Sequence, residues 1–227
     1  MELQVIARIH TELPEKFGVP RQSGLVPQLR GRVVFEPAFR NPDALRGLEE
    51  FSHIWLIWQF SEAVRSDWSP TVRPPRLGGN RRMGVFATRS PFRPNALGLS
   101  SVALEQIELD PVLGPVLHVA GADLMDGTPI YDIKPYLAYT DSHPQAQGGF
   151  TDGLAHQPLR VDCGEALLER LPEESRAGLV GVLAGDPRPR YQDDPQRVYG
   201  LSFAGYNVRF RVEGDVARVL DITQETT

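Results

Sequence analysis

Alternation of apolar and polar residues runs through most of this chain, at strand rather than helix spacing. Gln4 to Thr11 (QVIARIHT) alternates with period two, and Arg32 to Glu36 (RVVFE) follows as a second strand. Phe51 to Phe60 (FSHIWLIWQF) is a third, apolar enough to predict burial on both faces. Met83 to Thr88, Ser100 to Leu109, Val116 to Ala122 and Thr128 to Lys134 continue the series. Turn chemistry separates them: Gly18, Pro20 and Gly24 in a loop, Asp110 to Pro115 between two strands, and Asp126-Gly127 before another. Asn41-Pro42-Asp43 predicts a short helix with an Asn N-cap that ends near Gly47. Short strands at this spacing predict a mainly β fold, with a small antiparallel barrel in the N-terminal part.

The pattern changes after residue 142. Asp141 to Pro158 is polar and rich in Gly and Pro, and residues 143–158 read as a linker or mobile loop. Glu165 to Leu171 and Pro172 to Ala184 then read as helices, the second with Pro172 at its first position and Gly185 as its stop. Arg197 to Phe203, Asn207 to Val212 and Ala217 to Ile222 alternate as strands. The division is a barrel domain over 1–142, a linker over 143–158 and a smaller α+β domain over 159–227.

Composition narrows the chemistry. The 227 residues carry a net charge of −5, which argues against indiscriminate nucleic-acid binding. Cys163 is the only cysteine and the five histidines are scattered, so neither a disulfide framework nor a metal site is expected. No run reaches the ~18 apolar residues of a membrane span, and no signal-peptide pattern opens the chain. The cytoplasm is the expected compartment.

Charge is concentrated in one place. Arg65 to Arg93 holds seven arginines and one acid, Asp67, a local balance of +6 on an acidic protein. Arg73, Arg76, Arg81, Arg82, Arg89 and Arg93 stand among prolines and glycines, which predicts a rigid wall facing an anion. A solvated edge with surface ion pairs is the plainer alternative, and the shortage of nearby acids weighs against it. His53, in the apolar third strand, reads as a core histidine. Asp132 lies inside a predicted strand, where Asp is depleted, and is divided between a site role and a structural ion pair. Asp186 to Tyr191 (DPRPRY) either presents Arg188, Arg190 and Tyr191 to single-stranded RNA or is a surface loop. A P-loop, a dinucleotide fingerprint and a GxSxG elbow are all missing from the sequence.

The stretch PPRLGGNRRMGVFATRSPFRPNALGLS resembles the signature of the TsaA-like, or TrmO, proteins, which are S-adenosylmethionine-dependent methyltransferases of tRNA. The similarity continues through KFGVPRQSGLV, GLEEFSHIWLIWQF, DLMDGTPIYDIKPYLAYTDS and DPRPRY, and is weakest between Gln145 and His156. It implies a β-barrel catalytic domain, a homodimer, and a C-terminal domain that helps bind tRNA. The implied reaction is N6-methylation of N6-threonylcarbamoyladenosine at position 37 of threonine tRNA, with S-adenosylmethionine as methyl donor and no metal.

Transferred by motif, donor contacts would come from Pro20, Arg21, Gln22, Ser61, Glu62, Arg89, Leu99, Asp126, Gly127, Thr128 and Pro129. Ser61 stands where the family carries a histidine. Charge logic adds Arg89 or Arg93 for a carboxylate of substrate or donor, and Asp132 as an orienting or basic group. Arg188, Arg190 and Tyr191 would contact tRNA. The alternatives are a non-catalytic RNA-binding adaptor, or a methyltransferase acting on another small anionic acceptor.

Overall fold

The computed structural model describes residues 2–64, 67–74, 81–153, 157–188 and 194–225. The strands are β1 (Ala7–Thr11), β2 (Arg30–Phe35), β3 (His53–Gln59), β4 (Thr71–Val72), β5 (Met83–Gly84), β6 (Leu97–Asp110), β7 (Gly114–Ala120) and β8 (Thr128–Pro135). After the short helix α1 (Ala138–Asp141) come β9 (Arg160–Asp162), α2 (Glu165–Leu168), α3 (Glu173–Ala184), β10 (Tyr199–Phe203), β11 (Tyr206–Glu213) and β12 (Val216–Gln224).

Strands β1, β2, β7, β6, β3 and β8 close into a barrel in that order. Neighbours pair antiparallel all the way round, and the ring closes where Ala7 of β1 meets Ile130 of β8. The period-two pattern explains the interior. Ile9, Val33, Ile54, Leu56, Leu117, Val119 and Ile130 point inward and are fully buried, each contributing about 1.5–3 kcal/mol relative to exposure. The mainly β architecture expected from the alternation is thus what forms.

Several local expectations change. Only one face of β3 is fully buried, through Ile54, Leu56 and Trp58; Trp55 and Ile57 are half-buried. A closed barrel has one dry side, and the outer face of β3 is covered in part by the chain after β8. There Trp55 Nε1 donates to Asp141 Oδ2 at 2.8 Å and the Trp55 ring lies 5.5 Å from that of Tyr136. His53 is exposed, beside Ser52 Oγ at 3.0 Å, and is not a core histidine. The strand expected over Met83 to Thr88 shrinks to the two residues of β5. Val85–Ala87 instead forms a 3-10 turn in which the Thr88 amide and hydroxyl both donate to the Val85 carbonyl. The helix after Asn41 is also 3-10, and Asn41 caps it by accepting from the Asp43 amide at 3.0 Å.

Beyond α1 a four-stranded sheet forms in the order β10-β11-β12-β9. Strand β9 pairs parallel with β12 and is too short for a periodic signal. Helix α3 begins after Pro172, which is its N-cap residue rather than its first helical one. The core of this sheet holds Phe203, Phe210, Leu201 and Val208 with Leu179 and Leu183 of α3. It also holds Leu13, Val26 and Leu29, from the segment between β1 and β2. That segment, which reads as a plain loop, is therefore the joint between barrel and sheet. Gly18 sits in it at φ +99°, where a Cβ would fall 2.4 Å from Leu201 Cδ1, so no other residue fits there.

Glu12 opens the joint. Its Oε2 is buried without a hydrogen-bond partner among the described residues. Burial pushes its carboxyl above the ordinary range, against a hydrogen bond from Ser175; Glu174 adds to the rise. A raised carboxyl makes the folded state the tighter proton binder. Its contribution is complete below the unfolded pKa and disappears as pH rises through the folded one. Glu12→Gln keeps the size and removes the charge. Thermal denaturation between about pH 4 and pH 7 is expected to give a flatter stability curve for the variant, which is the more stable of the two at the neutral end.

Candidate active site

A cavity of about 860 Å³ opens where the joint meets one mouth of the barrel. Four stretches of chain supply its wall. The joint brings Lys16, Val19, Pro20, Arg21 and Gln22, and the turn after β3 brings Ser61, Glu62 and Ala63. The loop before β6 brings Arg89, Pro91, Arg93 and Asn95, and the approach to β8 brings Asp123, Leu124, Met125 and Thr128. Trp55, Trp58, Phe60, Leu97 and Leu99 form an apolar surface between them.

Tertiary structure therefore assembles Pro20, Arg21, Gln22, Ser61, Glu62, Arg89, Arg93, Leu99 and Thr128 from distant parts of the sequence. The Arg89 guanidinium donates to Gln22 Oε1, which ties the arginine wall to the joint. Arg93 donates to the carbonyl of Thr88 at 3.1 Å and to that of Ser90 at 3.4 Å, stiffening its own loop. Arg21 reaches the Asp186 carbonyl at 3.4 Å, linking the joint to the DPRPRY loop.

Other expected residues lie elsewhere. Asp126 Oδ1 accepts from the Thr11 amide at 3.0 Å and lies 3.3 Å from His10 Nδ1; it braces β1. The Gly127 carbonyl accepts from Arg8, and Pro129 is buried in register with Arg8 in the β1–β8 pair. Asp132 is not in the cavity wall. It forms an ion pair with Lys134 at 2.9 Å and accepts from the Ile133 amide. Arg188 is held by Asp186 at 2.8 Å with its side chain 12% exposed. Arg73, Arg81 and Arg82 are exposed and outside the cavity wall. Arg76, Arg190 and Tyr191 lie outside the described residues.

The sequence reading missed the buried serine that supports the cavity wall at Asp123 from behind. Ser100, 1% exposed, donates to Asp123 Oδ1 at 2.5 Å and accepts from Trp58 Nε1 at 2.9 Å. Burial raises the Asp123 carboxyl above its ordinary range; the Ser100 hydrogen bond opposes this most strongly, followed by the Asp123 amide, Arg89 and the Ser23 amide. One signal was available: Asp123 interrupts the run VAGADLM, which is otherwise without a polar side chain.

Residues 8–142 match the family model described as the tRNA-methyltransferase O N-terminal domain, and residues 156–225 match the TrmO C-terminal domain. The chain belongs to the TrmO family. The resemblance read from its motifs is thereby borne out. A tRNA (adenine(37)-N6)-methyltransferase of Escherichia coli K12 is 40% identical over 93% of this chain and 93% of its own. A crystal structure of TrmO from Pseudomonas aeruginosa superposes with a TM-score of 0.80, at 35% identity over 99% of this chain and 97% of that one. A Pyrococcus abyssi relative described as a "Probable S-adenosyl-L-methionine-binding protein" is 34% identical over 67% of this chain and 77% of its own.

In this TrmO-family barrel Gly98 lies opposite Trp58 across the β3–β6 pair. A Cβ at Gly98 would fall 2.2 Å from the indole, so the glycine is what lets the ring lie over β6 and reach Ser100. Gly98→Ala displaces the ring and is expected to cost about 1–3 kcal/mol, the usual range for overpacking. Denaturant unfolding followed by tryptophan fluorescence measures it.

Proposed function

We propose that this chain methylates N6 of adenine-37 in tRNA from S-adenosylmethionine, with N6-threonylcarbamoyladenosine of threonine tRNA as the acceptor. The observation that carries the reading is the cavity itself, which sets four cations around an apolar, aromatic floor in a TrmO-family barrel. When bound, the donor supplies an electrophilic methyl group on a sulfonium. The residues present fit it. Trp55, Trp58, Phe60 and Leu99 offer surface for a purine. Lys16, Arg21, Arg89 and Arg93 suit a carboxylate, while Glu62 and Asp123 suit positive centres.

Methyl transfer needs donor and acceptor held close and in line. The chain's part is to fix two partners. Arg89, held by Gln22, and Arg21, held by the Asp186 carbonyl, are anchored before any ligand arrives. The acceptor carries a threonine carboxylate and sits in a phosphate-bearing loop, so cations left over from the donor serve it. In this reading residues 1–142 carry the chemistry. Residues 143–158 connect it to residues 159–227, which steer the anticodon loop with Arg188, Arg190 and Tyr191. Assembly as a homodimer and a place in the cytoplasm belong to the same reading. An adaptor without catalysis would have no use for the cavity's deep carboxyl and clustered cations.

The test is incubation with labelled S-adenosylmethionine and total tRNA, taken from cells with and without the threonylcarbamoyl modification. Label is expected only in modified tRNA. Equal labelling overturns the substrate, and no labelling overturns the enzyme. Binding of tRNA should weaken with salt along a shallow slope, because few phosphates are contacted on an acidic protein; filter binding at several salt concentrations measures it.

A further inference from the structure

We infer that the exposed ring pair Trp68–Phe86 is a stacking platform for the anticodon-loop base next to adenine-37. Arg73, Arg81 and Arg82 track the phosphates beyond that base.

The platform is built on the ribbon of β4 and β5. Thr71 pairs with Gly84 and Val72 with Met83, and the Val85 amide donates to the Pro70 carbonyl at 2.9 Å. These contacts bring Trp68 and Phe86 together at one end of the ribbon. The rings lie 6.0 Å apart and 27° from parallel, with Trp68 50% and Phe86 72% exposed. Among the described residues this is the ring pair in which both members are exposed aromatics of the large apolar kind. Neither ring belongs to the core of the barrel or of the second sheet, so core packing does not account for their placement.

The other end of the ribbon carries Arg73 and Arg82, with Arg81 beside them. All three are exposed, and none forms an ion pair with a described residue. Asp67 is the one acid in this stretch. Trp68 to Arg73 reaches at most about 17 Å at strand spacing. A base on the rings and the phosphates that follow it on the arginines therefore fit one short piece of single strand. Flat apolar faces with cations beside them on a preordered ribbon are the features that single-stranded RNA uses.

The ribbon also leads to the cavity. Phe86 lies in the turn Val85–Ala87, and the chain continues through Thr88 to Arg89 in the cavity wall. Chemistry on a base requires that base to leave its stack. When adenine-37 enters the cavity, its neighbour loses a stacking face, and the rings replace it. Trp68 and Phe86 are thus positioning residues that touch neither donor nor reacting nitrogen.

The inference rests on the tRNA acceptor named under Proposed function, and the experiment separates the two. The probes are synthetic anticodon stem-loops of threonine tRNA carrying N6-threonylcarbamoyladenosine at position 37. The fluorescent base 2-aminopurine, dark when stacked and bright when not, stands immediately before that nucleotide in one probe and immediately after it in the other. They are titrated with the full chain in the presence of S-adenosylhomocysteine. If wild type binds neither probe, the proposed function falls and the inference with it. If it binds, at least one probe is expected to stay dark at saturation. Trp68→Leu and Phe86→Leu are expected to brighten that probe and weaken its binding about tenfold, within the range of base–aromatic stacking. Phe86→Tyr keeps the ring and is expected to keep both readings. Calorimetry should give all variants the wild-type affinity for S-adenosylmethionine. Brightening of both probes by wild type, or leucine variants that behave as wild type, overturns the inference alone. So does a loss shared by Phe86→Tyr, a loss of donor affinity, or a changed sedimentation coefficient in the leucine variants, which marks the rings as structural or as a contact between copies of this chain. Arg81→Gln and Arg82→Gln should each lower the slope of log affinity against log salt by about 0.7, and an unchanged slope overturns the assignment of the arginines.

Discussion

Burial of the segment between β1 and β2 in the core of the other sheet is the constraint on which the site depends. Leu13, Val26 and Leu29 leave the barrel and pack among Phe203, Phe210 and Leu183. Apolar burial has no direction of its own, yet it fixes this segment at both ends, since β1 and β2 are already held in the barrel. The residues between the anchors cannot drift. Lys16 to Gln22 are consequently set over the barrel mouth, and Gly18 is needed where the chain passes Leu201. Everything the cavity offers from that side follows from a hydrophobic contact that is not part of the cavity.

The opposite side is held by the barrel itself. Strand β3 carries Trp58 against β6, where the absence of a side chain at Gly98 admits the indole. The indole then meets Ser100 and, through it, Asp123. A half-satisfied buried polar network is destabilising, so losing any one of these three groups leaves the others short of a partner. The two sides are joined by Arg89 and Gln22, each from a loop. Rigid scaffolds with functional groups on their loops are a common arrangement; here the loops are further stiffened by arginines that bond to backbone carbonyls, as Arg93 does.

Much of the fold was legible. Period-two alternation located the barrel strands, because a strand with one dry face must alternate. Asn41 declared its cap, and Asp126-Gly127 its turn. The charged stretch from Arg65 to Arg93 was visible as an excess of arginine, but its division was not. Arg89 and Arg93, which the family motif singles out, turn to the cavity while Arg81 and Arg82 face solvent, and the spacing of charges alone does not separate the pairs. His53 misled, and Asp132 stayed divided between two roles, for the same reason. A polar residue in a strand has two faces available, and only barrel closure decides which is wet: His53 is exposed, and Asp132 pairs with Lys134.

The sequence by itself determined the strand spacing, the family through its long motifs, and the existence of a local excess of arginine on an acidic chain. These are local or cumulative properties, written in neighbouring residues. Only the tertiary structure decided that Gln22 meets Arg89, that Asp186 holds both Arg188 and the Arg21 side chain, and that Asp123 rests on Ser100 and Trp58. Apart from the local Asp186–Arg188 pair, each of those contacts joins residues brought together by chain closure or by the burial of Leu13, Val26 and Leu29. Long-range proximity of that kind is set by packing, and packing leaves no trace in the spacing of any single stretch.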